Sequence, residues 1–218
     1  MVHRYGKLVV ALTLAVLLGS TALAQLPFAG GFGGASMLLM NPDVQKELNL
    51  TEEQVTKAKD VSKQVREKFK DDFTKLKDAS KEERQEKMQE LFKTIGTETE
   101  KSLKDVLKPE QQKRLKQLEL QQRGVDALTD AEVEKALNLT AEQKEKIKTL
   151  RDDAGKDMRE IFKGAQGNFQ EAQTKVQSLR KETLEKATAT LNETQKKAWK
   201  DLTGAPFEFK FQPRRLNQ

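Results

Sequence analysis

The chain has 218 residues, 40 Lys+Arg against 34 Asp+Glu, and no Cys. Apolar residues make up 36%, charged residues 34% and aromatics 6%, where ordinary globular domains carry ~45–50% apolar (Gly included) and ~25% charged residues. The balance argues against a deep α/β core and against a sheet sandwich. The abundant Glu, Lys, Gln, Leu and Ala are the residues that lose least on entering a helix.

Residues 1–24 read as a secretory signal. Arg4 and Lys7 give a basic start, Leu8 to Leu18 form an apolar run, and Ala22-Leu23-Ala24 has the small-x-small form of a cleavage site. The competing reading is a membrane anchor, but the apolar run is far short of the ~20 residues that span a bilayer. No Cys follows Ala24, which excludes a lipid-anchored lipoprotein. The expected location is therefore periplasmic or secreted, with no membrane insertion after cleavage. The only His, His3, lies inside the signal. The mature chain thus lacks the commonest general base and metal ligand, and without Cys a zinc-type site is not expected. A carboxylate-only calcium site stays formally open, though no D-x-D-x-D-G loop supports it. No catalytic, cofactor-binding or metal-binding residues are assigned, and an enzyme is not expected.

Residues 25–39 form a Gly-rich flexible lead. Met37-Leu-Leu-Met40 at its end reads either as core packing or as a sticky patch. From there the chain repeats. Val44–Gln54 (VQKELNLTEEQ) and Val133–Gln143 (VEKALNLTAEQ) match at offset 133 − 44 = 89. A fainter pair, Leu107–Gln111 and Leu191–Gln195, keeps L-x-x-x-Q at offset 191 − 107 = 84. Such recurrence signals tandem units: unit 1 over 40–123 and unit 2 over 124–204, with Arg123-Gly124 as the boundary.

The shared L-T-x-x-Q has a local mechanism. Thr51 and Thr140 suit the helix N-cap. Gln54 and Gln143 sit three residues on, able to reach back in a capping box. Leu50 precedes the first cap and can staple onto Val55. Leu139 precedes the second, where Lys144 weakens the staple. In the fainter pair, Pro109 favours a start after Leu107 and Lys108, with Gln111 third in the helix. Asn192 caps the copy that runs from Leu191 to Gln195.

Long amphipathic stretches follow each strong motif. Val55, Ala58, Ser62, Val65, Phe69, Phe73 and Leu76 make one seam of about seven turns. Met88, Leu91, Phe92, Ile95, Leu103 and Val106 make the second. In unit 2 the seams are Ile147, Leu150, Ala154, Met158, Ile161 and Phe162, then Phe169, Ala172, Val176, Leu179, Leu184, Ala187 and Leu191. Residues 77–80 and 164–167 separate the long helices. Short helices over 42–48, 110–122, 130–137 and 194–202 complete a short–long–long–short order in each unit. The fold class is all-α, built of tandem helical hairpins. Trp199 and Leu202 are expected to close unit 2, and charge runs such as 81–87 read as solvated faces. The sequons at Asn49, Asn138 and Asn192 are explained by the caps without sugar. In the tail, 205–218, Phe207-Glu-Phe-Lys-Phe211 alternates like a strand. It is either pinned or frayed on the bundle, or an edge on which a partner docks.

The motif set resembles the LTxxQ-motif periplasmic proteins of the Spy/CpxP type. The resemblance rests on Leu50, Thr51 and Gln54, on Leu139, Thr140 and Gln143, on the fainter copies at Leu107, Gln111, Leu191 and Gln195, and on the signal. It implies a helical hairpin with short flanking helices that pairs as a cradle-shaped antiparallel dimer. Some members act as ATP-independent chaperones in envelope stress. Two units in one chain imply an elongated cradle built internally as a pseudo-dimer, with a homo-oligomer still open. The expected function is a holdase for unfolded or envelope polypeptides. The alternative is a regulatory or structural protein with one dedicated envelope partner; metal resistance, also found in the family, fits poorly with the missing His and Cys. No nucleic-acid partner is expected. Removing Arg4 and Lys7 from the 40 basic residues leaves 38 against 34 acidic ones, interleaved and not gathered on one face.

Overall fold

The structure is a computed structural model that describes residues 34–76, 80–165 and 168–209. The signal, most of the Gly-rich lead, the separators 77–79 and 166–167, and Phe211 lie outside the described residues. Every regular element within them is helical. In chain order these are α1 (Ala35–Leu39), α2 (Pro42–Glu47), α3 (Glu52–Lys68), α4 (Lys70–Lys75), α5 (Lys81–Leu103), α6 (Pro109–Arg123), a 3-10 segment (Gly124–Thr129), α7 (Ala131–Ala136), α8 (Ala141–Gly164), α9 (Phe169–Ala189) and α10 (Glu193–Thr203).

Helix starts follow from side-chain caps. Asn41 Oδ1 accepts from Asp43 N at 2.8 Å, and Pro42 holds the first position of α2. Ser80 and Glu83 form a capping box on α5, and Asn168 caps α9. Helix α2 ends on Asn49 and α7 on Asn138, both at positive φ (48° and 51°). Asn tolerates the left-handed region better than most residues. The turn brings Leu50 N to Gln45 O and Leu139 N to Glu134 O, each at 3.0 Å, a Schellman-type closure of the helix end. The sequence L-N-L-T is thus a stop and a start joined in four residues. The capping reading of Thr found the start. The stop at Asn carries no signal beyond the residue's turn preference.

Two apolar clusters hold the bundle together. The first takes Leu38 and Leu39 from α1, Val44 from α2, Ala58, Val61 and Val65 from α3, Phe69, Ile95 and Leu103 from α5, and Leu115 and Leu118 from α6. The second takes Leu120 from α6, Val125, Ala127 and Leu128 from the 3-10 segment, and Val133, Ile147, Ala187, Leu191, Trp199 and Leu202. Helix α6 therefore feeds both clusters from neighbouring residues. Its end at Gly124 has φ +59°, a conformation that glycine adopts without steric cost.

Two of the expected seams need correction. The 55–76 seam is not one helix, because it breaks at Phe69 (φ −101°, ψ 8°) between α3 and α4. Phe69 is 8% exposed at that break, a large ring seated in the core where the helix is interrupted. Val61, outside the assigned seam, is buried, while Ser62 is only half-buried and donates to Ala58 O. Phe162, assigned to the third seam, is 48% exposed. The patch at 37–40 is split: Leu38 and Leu39 are core, whereas Met37 and Met40 face outward. At the second staple position Leu139 reaches the core without an apolar partner at residue 144. It is 7% exposed in the second cluster, while Lys144 turns to Glu134 at 2.8 Å.

The tail forms no strand among its described residues 204–209. It crosses α6 as a strap. Gln121 Nε2 donates to Thr203 O and Ala205 O at 2.6 and 2.8 Å, and Phe207 N donates to Gln121 Oε1 at 2.8 Å. Phe207 and Phe209 stack edge to face, with centroids 5.0 Å apart, against the first cluster. The strap leaves α10 through Gly204, φ +67°, where a Cβ would stand 2.3 Å from Gln117 Oε1. Gly204→Ala combines backbone strain of ~1–3 kcal/mol with displacement of the Gln117 side chain. Calorimetry should show a Tm lower by ~2–12 °C, at ~2–4 °C per kcal/mol for a body of this size. An unchanged Tm would mean that the strap lies outside the cooperative unit.

Candidate functional site

The ten motif residues fall into two like constellations. At the first, Gln54 N donates to Thr51 Oγ1 at 3.2 Å and Thr51 N to Gln54 Oε1 at 3.1 Å. At its counterpart, Lys108 N donates to Gln111 Oε1 at 2.9 Å. Lys108 offers no acceptor, so only the return half of a capping box forms there. In the second half of the chain, Thr140 with Gln143 and Asn192 with Gln195 both close complete boxes. Leu107 and Leu191 are buried, at 4% and 3% exposure. Leu50 is partly buried against the first cluster.

Beyond capping, the glutamines meet in pairs across the fold. Gln54 Nε2 donates to Gln111 Oε1 at 2.7 Å, and Gln111 Nε2 donates back to Gln54 Oε1 at 3.2 Å. The spare hydrogens go to Val106 O (2.9 Å) and Leu48 O (3.0 Å). The second pair repeats this. Gln143 and Gln195 exchange bonds of 2.8 and 2.9 Å, and their remaining hydrogens reach Thr190 O and Asn138 O. Each amide thus uses two acceptor and two donor positions, the full capacity of the group. Gln111 and Gln195 are each 6% exposed. A capping residue works on an exposed helix end, but a doubly used amide ties two helix starts together in a buried place. The sequence reading assigned the cap and missed the tie, because nothing in local spacing tells which two glutamines meet.

A cluster of charges lies where the two cores join. Lys116 and Glu119, one helical turn apart on α6, are 6% and 3% exposed. Arg123 donates to both oxygens of Asp130, at 2.5 and 2.6 Å. Asp130 precedes α7 but caps nothing, its carboxylate being held by the guanidinium. Burial pushes the Lys116 ammonium down to about 8 against the opposing pull of Glu100, Glu132 and Glu119. Burial pushes the Glu119 carboxyl up to about 7 despite Arg123 and Lys116 nearby. Neither residue was singled out in the sequence, where each is one of many charged residues interleaved with leucines on α6.

The third feature is the pair α8 and α9, which pack along each other. Between the buried Ala154 and Ala172 the interface is only partly covered. Met158, Ile161, Val176 and Leu179 are only half-buried, and Phe162 is exposed. An open cleft of about 320 Å³ lies at the far end, lined by Ile161, Ala165 and Ala172 and rimmed by Glu160, Glu171 and Lys175. The surrounding surface is rich in charge, and its ion pairs, such as Glu171–Lys175 and Glu182–Lys186, are exposed and screened by solvent.

Among the described residues, no three Asp, Glu, His or Cys side chains gather where they could hold a metal ion. No described helix is long and apolar enough to cross a membrane. Comparisons with protein-family models, curated proteins and solved structures return no match.

Proposed function

We propose that the chain is an ATP-independent holdase of the cell envelope. It is built from two tandem LTxxQ-type hairpin units that pair within one chain as a cradle-like pseudo-dimer. The signal-like start supports export. The recurrence of the glutamine tie, at Gln54–Gln111 and Gln143–Gln195, supports two equivalent units.

The observation that carries the chaperone reading is the α8–α9 arm. Its Met158, Ile161, Phe162, Val176 and Leu179 stay partly open to solvent between charged residues. Single apolar side chains spaced by charges give shallow, weak contacts without demanding one partner shape. Adaptable surfaces of this kind favour promiscuous binding. The mild excess of positive charge adds attraction for acidic or unfolded chains that fades with salt.

The test mixes residues 25–218 with a chemically unfolded client and follows light scattering without ATP, at low and high salt. Suppression near stoichiometric ratios is expected, and weaker suppression at high salt would assign the attraction to charge. No suppression at either salt overturns the reading and leaves a dedicated envelope partner, to be sought by pull-down from the native envelope. Phe162→Ser should leave stability within ~0.5 kcal/mol, as for exposed positions. It should raise the half-suppressing concentration about fivefold, corresponding to ~1 kcal/mol of lost ring burial per client.

A further inference from the structure

A carboxylate buried in a helical body normally has a cation or several N–H donors to meet it. Glu119 does not. It is 3% exposed, and its Oε1 has no hydrogen-bond partner among the described residues. Arg123, one turn on, is committed to both oxygens of Asp130. The place matters as much as the isolation. Glu119 stands between Leu118, fully buried in the first cluster, and Leu120, buried in the second. Helix α6 packs there against α1, α10 and the 3-10 segment. A charge appearing at this point would be unsolvated and would act on the contact that joins both cores.

We infer that Glu119 is a proton-operated latch between the two halves of the molecule. Neutral, it lets α6 close both clusters at once; ionised, it weakens the hold of α6 on the 3-10 segment and α10, so that the junction opens more often.

The surrounding groups fit this role. Lys116 and Arg123 on α6 favour the ionised form, while Glu100 on α5 and Asp130 before α7 oppose it. Glu132, in the first turn of α7, acts on Lys116. Helix α1 carries no ionisable side chain, and Asp126 and the charged residues of α10 are exposed. Burial dominates, and it lifts the Glu119 carboxyl from 4.5 to about 7. The sign follows from linkage. A carboxyl with a raised folded pKa gives stability that is complete below its unfolded value and is lost as pH rises through the folded one. Lys116, lowered to about 8, works in the other direction. Its penalty is relieved as pH rises from there towards 10.5. The junction is therefore weakest between about pH 7 and 8, where both groups are charged.

The experiment compares the full chain with Glu119→Gln between pH 5 and pH 7.5. The Tm difference, variant minus wild type, should grow by several degrees over that range. Hydrogen exchange, corrected for its intrinsic pH dependence, should show protection of α6 and of residues 124–129 falling at least about tenfold in the wild type, since one unit of pKa displacement is a factor of ten. In the variant, protection should not fall. Parallel pH profiles of the two proteins overturn the inference. Should Glu119→Gln fail to fold, carboxyl-carbon NMR of the wild type decides: a Glu119 midpoint near 7 supports the latch, and one near 4.5 overturns it.

Discussion

Replacing Gln111 by glutamate is expected to destabilise the protein by ~2–4 kcal/mol at pH 7. The substitution keeps shape and volume but deletes both donors. Leu48 O, at 3.0 Å, and Gln54 Oε1, at 3.2 Å, would then face a carboxylate oxygen in a place that is 6% exposed. Leaving a buried polar group unsatisfied costs about 1–3 kcal/mol, and more where a charge is involved. At ~2–4 °C per kcal/mol the Tm should fall by ~4–16 °C. The deficit should shrink as pH falls, measured against wild type at the same pH. Protonation restores one donor, so the new carboxyl has a raised folded pKa and its penalty lifts on acidification. Gln111→Ala serves as the pH-independent control. If the glutamines were simple caps, Gln111→Glu would be nearly silent, because glutamate also reaches back to the cap in a capping box. A loss below about 1 kcal/mol in urea unfolding would therefore remove the tie from the account.

Leu118→Ala is expected to cost ~2–5 kcal/mol, the range for truncating a fully buried leucine. Leu118 is 0% exposed and lies on the one helix that supplies both clusters. The cavity would loosen α6 where it also presents Glu119 and, one turn on, Gln121, which holds the C-terminal strap. The loss should thus spread. Fluorescence of Trp199, the chain's single tryptophan and a member of the second cluster, should report the same unfolding midpoint as far-UV dichroism. If Trp199 kept its wild-type midpoint while the helical signal fell early, the two clusters would be independent bodies. Helix α6 would then serve the first cluster alone.

What one strand of sequence discloses here is governed by how local each interaction is. The helical class follows from Glu, Lys, Gln, Leu and Ala with apolar residues at steps of three and four. Thr51, Thr140 and Asn192 act on backbone N–H groups three residues away, and their boxes were legible because that distance is built into every helix start. The same holds for the turn at Gly124. The extent of the seams was less legible. Phe69 and Phe162 carry the same chemistry at the same helical spacing, yet one is buried in the core and the other faces solvent. Tertiary contact decides that difference, since a seam is buried only where another element covers it. The glutamine ties, between residues 57 and 52 positions apart, the strap of Phe207 and Phe209 over α6, and the unpartnered Glu119 Oε1 are likewise tertiary facts. Each depends on which distant group arrives opposite a side chain. Composition and periodicity set what a residue can do with its neighbours along the helix; only packing sets whether a buried amide finds its twin or a buried carboxylate oxygen goes unpaired.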